Sequence, residues 1–71
     1  MVNCYSLSNQ YIKTYSSLQE AADSVGLKNS YNITNVCMKR RTKAGGYIWY
    51  YVNDESQPDK SKIIKRSSYA A

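Results

Sequence analysis

Two periodicities divide the chain. Val2 to Leu7 and Tyr11 to Tyr15 read as strands on either side of a polar Ser8-Asn9-Gln10 turn, so the chain is expected to open with a hairpin. From Leu18 the period lengthens. Leu18, Ala21, Ala22 and Val25 fall at i, i+3, i+4 and i+7, the apolar stripe of a short helix. Ser17 and Glu20 are spaced as a capping box at its start. Gly26 stands where a left-handed C-terminal cap belongs. After Leu27-Lys28-Asn29, with Asn29 or Ser30 as cap, a second helix is predicted to run to about Met38. Ile33, Val36 and Cys37 share its inner side, whereas Tyr31, Thr34, Asn35 and Met38 are expected to point outward.

Beyond this helix the pattern turns basic, then aromatic. Lys39-Arg40-Arg41-Thr42-Lys43 runs into Ala44-Gly45-Gly46, and Tyr47 to Val52 reads as a third strand. The two glycines allow a sharp turn that a residue with a Cβ resists. After Asn53 the chain becomes polar, and residues 54–71 are expected to form a flexible, disordered tail. The predicted fold is α+β: a small three-stranded antiparallel sheet, made of the hairpin plus the C-terminal strand, with a helix-turn-helix-like pair. It is assigned to a domain over residues 1–53, with 54–71 as tail.

Charge sharpens the picture. Ten Lys/Arg against five Asp/Glu give a net charge of +5, a field that favours polyanions. Residues 1–53 carry six of the cations (Lys13, Lys28, Lys39, Arg40, Arg41, Lys43) but two of the acids (Glu20, Asp23). At 71 residues the chain has room for a small core and no enclosed substrate pocket, so no small-molecule substrate is expected. No histidine and no Cys-x-x-Cys pair are present, which leaves a structural zinc site almost no ligands, and no cofactor is implied. Cys4 and Cys37 are read as reduced, buried thiols in a cytoplasmic protein. The apolar run Tyr47–Val52 is too short to span a membrane. Glu20 reads as a cap rather than a catalyst, and Trp49 as core rather than a stacking platform.

Two short helices around a tight turn suggest a helix-turn-helix, whose second helix enters the major groove while flanking cations grip phosphates. The candidate DNA-binding residues are Lys28, Asn29, Tyr31, Asn32, Thr34, Asn35, Lys39, Arg40, Arg41 and Lys43. Asn35 and Tyr31 are the candidate base readers. Two other readings compete: binding of RNA or single strands through exposed sheet tyrosines, and a protein-interaction module.

The order of motifs resembles one family. Tyr15-Ser16-Ser17, Glu20-Ala21-Ala22, Gly26 and Ala44-Gly45-Gly46-Tyr47-Ile48-Trp49, with Val2, Tyr5, Tyr11-Ile12-Lys13, Ile33 and Cys37, look like the intron-encoded nuclease repeat. This is the type-1 nuclease-associated modular DNA-binding domain of homing endonucleases, and the likeness covers roughly residues 2–52. Where that family often has Gly after the second helix, this chain has Met38-Lys39-Arg40. The resemblance implies a non-catalytic module that binds double-stranded DNA and targets a nuclease catalytic domain.

Overall fold

In the computed structural model, which describes residues 1–64, the chain forms β1 (Val2–Tyr5), β2 (Tyr11–Tyr15), α1 (Leu18–Ser24), α2 (Tyr31–Cys37) and β3 (Ile48–Tyr51). A single 3₁₀ turn follows at Lys60–Lys62. The fold is α+β, with the three strands antiparallel in the order β2-β1-β3. The expected strands and helices are present. β1 stops at Tyr5 instead of Leu7, because Ser6 already accepts the turn-closing bond from Asn9 and donates to Gln10. Asn9 adopts φ +67°, the left-handed conformation that its short polar side chain tolerates.

α1 forms for the reasons its sequence gives. Ser17 is extended, and its hydroxyl accepts the Glu20 amide at 3.0 Å. The Glu20 carboxylate reaches back one residue further than in the usual box, to the amide and hydroxyl of Ser16. At the other end Gly26 sits at φ +77°, and the Leu27 amide donates to Ala22 O at 2.9 Å. That six-to-one bond is the mark of a Schellman cap.

β1 is the central strand, and all four of its residues are buried. Successive side chains leave opposite faces of a strand, so both faces must be covered. On one face Val2 and Cys4 join Trp49 of β3, Ala21 and Ala22 of α1, and Ile33, Val36 and Cys37 of α2 in one core. Trp49 is fully buried, as expected of a core residue. Cys4 and Cys37 are buried free thiols; burial pushes their pKa up to about 11 and about 12, so little of the reactive thiolate exists near neutral pH.

The opposite face overturns the boundary drawn at Asn53. Residues 54–64 are not a disordered tail; they strap across Asn3 and Tyr5. Gln57 is 1% exposed, and its Oε1 accepts from Asn3 Nδ2 at 2.7 Å and from the Tyr5 hydroxyl at 3.0 Å. Its Nε2 donates to the carbonyls of Tyr51, Val52 and Asp54. Asp59 caps the 3₁₀ turn through Ser61, and the Ile64 amide donates to Val52 O at 2.7 Å. The strap is held by hydrogen bonds around one buried amide, and no hydrophobic period in the sequence announces it. Residues 65–71 of the expected tail lie outside the described residues.

Candidate nucleic-acid interface

The basic loop is fastened at both ends. α2 closes with a second Schellman cap: Lys39 N–H donates to Val36 O at 3.0 Å, and Arg40 N–H to Asn35 O at 2.8 Å. The left-handed position of this cap is Lys39, at φ +67°, where glycine is usual. At the far end Ala44 pairs with Tyr47, and the Trp49 indole donates to Ala44 O at 2.8 Å. Gly45 then presses against Val25 and Leu27, so the loop's exit is held beside the α1–α2 connection that carries Lys28. Arg40, Arg41 and Lys43 are exposed on this tether, and so is Lys28. None of the four is paired with an acid among the described residues.

Lys39 is different. Its ammonium lies 2.5 Å from Asp54 Oδ2 and 4.4 Å from the centre of the Tyr50 ring. Burial raises the Asp54 pKa, but hydrogen bonds from Lys39 and Ser56 outweigh it and hold the carboxyl below its ordinary value. These contacts draw Lys39 toward the strap and away from the row of free cations. They also offset the strain of its backbone. Lys39→Ala keeps a Cβ at positive φ and loses both contacts, so it is expected to cost ~1–2 kcal/mol. Lys39→Gly removes the strain along with the contacts and should be close to neutral. Urea denaturation of the two variants measures the difference.

The other candidates sort by position. Tyr31 is 68% exposed, and Asn32 and Thr34 are partly exposed. Asn29 is committed to local structure: its Oδ1 accepts the Tyr31 amide at 2.9 Å in the turn that leads into α2, whose N-cap is Ser30. Asn35 is the main correction. It was expected to point outward opposite Ile33 and Cys37, yet it is only 8% exposed. Arg40 and Arg41 both donate to its carbonyl, so the chain doubles back across the last turn of α2 at Asn35. A helical wheel records angle around the axis and is blind to such a return.

The sheet tyrosines do not form an open stacking surface. Tyr5 is buried, with its ring edge-on to Tyr11 at 5.9 Å and Tyr50 at 5.3 Å. Lys62 sits 4.4 Å from the centre of the Tyr11 ring. Sequence reasoning missed Gln57 and Asp54; the available signal was Asn3, a polar residue in a strand whose neighbours are all core. Among the described residues no group of three or more His, Cys, Asp or Glu is placed to hold a metal, and no helix is long and apolar enough to cross a membrane.

Comparison with known proteins adds one relation. Over 49 residues, 69% of its length, the chain is 37% identical to an uncharacterized HNH endonuclease of Acanthamoeba polyphaga mimivirus. It spans 14% of that protein. The likeness is thus to a part of a nuclease-related protein. No family model matches the chain. No solved structure matches it.

Proposed function

We propose that this chain binds double-stranded DNA with a sequence bias, as the targeting module of a homing endonuclease or of a protein derived from one. The observation that carries the reading is the tethered loop. Arg40, Arg41 and Lys43 follow α2 directly, the loop is fastened at both ends, and Lys28 lies on the connection against which its exit packs. Cations held on a fixed frame beside an exposed helix face suit phosphates flanking a groove. The similarity to part of an HNH endonuclease supports a place beside nuclease chemistry. The histidines that such chemistry uses are absent from this chain, so a separate catalytic domain would do the cutting.

A duplex titration at several salt concentrations tests this. With Lys39 held by Asp54, four cations remain for phosphates, and log K is expected to fall against log salt with a slope of about −4. Arg41→Ala and Lys43→Ala should each make the slope shallower by about one, alike on all sequences. A salt-independent titration would sink the proposal.

A further inference from the structure

With Asn35 withdrawn, the outward face of α2 is not the hydrogen-bonding surface that its composition suggests. Its two most exposed large side chains are apolar or largely so: Tyr31, 68% exposed, and Met38, 46% exposed at the C-cap. They are seven residues apart, so they share one face. The separation along the axis is about 10 Å. Neither packs in the core, and leaving both in water gives the free domain no hydrophobic stabilisation. Arg40 and Arg41 come two and three residues after Met38, beyond Lys39, and Asn32 and Thr34 lie between the pair. An apolar pair bordered by unpaired cations matches a particular surface of duplex DNA. Thymine C5-methyl groups project into the major groove between two rows of phosphates. One bilayer-facing pair on a seven-residue helix is a far smaller apolar face than interfacial helices use.

We propose that Tyr31 and Met38 read thymine methyl groups, so that the module favours sites with two thymines roughly three base-pair steps apart, given ~3.4 Å per step. The thioether of Met38 is polarizable and adapts its shape to a methyl group. This inference rests on the duplex-binding reading and is separable from it.

The test uses the whole chain and a pool of short random-sequence duplexes. Sequencing the bound fraction should show thymines enriched in pairs at that spacing. The best duplex is then remade with deoxyuridine at those positions, which removes each methyl and leaves base pairing unchanged. Affinity of the wild type is expected to fall about fourfold for each methyl lost. Tyr31→Ala and Met38→Ala should each shrink that thymine-over-uracil ratio. Met38→Gln, which keeps the length and removes the apolar character, should act like Met38→Ala. Both positions are exposed, so circular dichroism should be unchanged. Equal affinity for the thymine and uracil duplexes, with the steep salt slope intact, would overturn the methyl reading and leave the DNA reading standing. Capture on phosphatidylserine vesicles, with no binding to either duplex, would overturn both.

Discussion

Replacing Gln57 by leucine is expected to destabilise the domain by ~3 kcal/mol, although the two side chains are similar in size. The loss follows from what Gln57 joins. Its carbonyl accepts from Asn3 and Tyr5, both fully buried, and its amide serves three main-chain carbonyls. Leucine would leave these groups facing hydrocarbon. Typical domains are stable by only ~5–15 kcal/mol, so the midpoint of urea unfolding should drop visibly. Gln57→Glu gives a sharper signature. The new carboxyl could still accept from Asn3 and Tyr5, but its second oxygen would face the carbonyls that now receive the amide. The ionised form is disfavoured there, so its folded pKa lies above its unfolded value of ~4.3. Relative to the wild type, the variant is therefore expected to be most stable below that value and to lose stability as pH rises through the folded pKa. If Gln57→Leu unfolds like the wild type, residues 54–64 do not brace the sheet.

A second large effect is expected at Gly45, in sharp contrast to its neighbour. Both Gly45 and Gly46 have positive φ, +61° and +82°. A Cβ on Gly46 would meet nothing within 4 Å, whereas one on Gly45 would lie 2.8 Å from Val25 Cγ2 and 3.1 Å from Val25 Cβ. Gly46→Ala should therefore cost ~1–2 kcal/mol, the left-handed strain alone. Gly45→Ala adds overpacking against α1's cap, for a total of ~3 kcal/mol. It should also displace the loop's exit and weaken duplex binding, whereas Gly46→Ala should leave binding nearly intact. Thermal unfolding and the duplex titration read both effects. Equal costs at the two glycines would mean that the loop is not docked where Val25 and Gly45 place it.

Much of the fold was legible because local chemistry and tertiary structure agree. Ser17, Glu20, the Leu18–Val25 stripe and Gly26 all specify α1 independently, and the structure uses every one of them. β2 and the aromatic β3 follow from composition. Legibility failed where stability comes from polar contacts between distant segments. Gln57 is 54 residues from Asn3, in a stretch with no apolar period. The candidate site was half legible. The run Lys39–Lys43 stands out as charge, but only the fold separates Lys39, held by Asp54, from Arg40, Arg41 and Lys43. Asn35 misled because its position on the helix and its exposure were set by different parts of the chain.

The two fastenings of the basic loop bear on entropy as well as on shape. Freezing the backbone of a free residue costs ~1–2 kcal/mol, so a slack loop of five would surrender much of its electrostatic attraction in becoming ordered. Here the Schellman bonds to Asn35 and Val36 and the indole bond to Ala44 meet that cost during folding. A polyanion arriving at Arg40, Arg41 and Lys43 thus has mainly side chains left to immobilise.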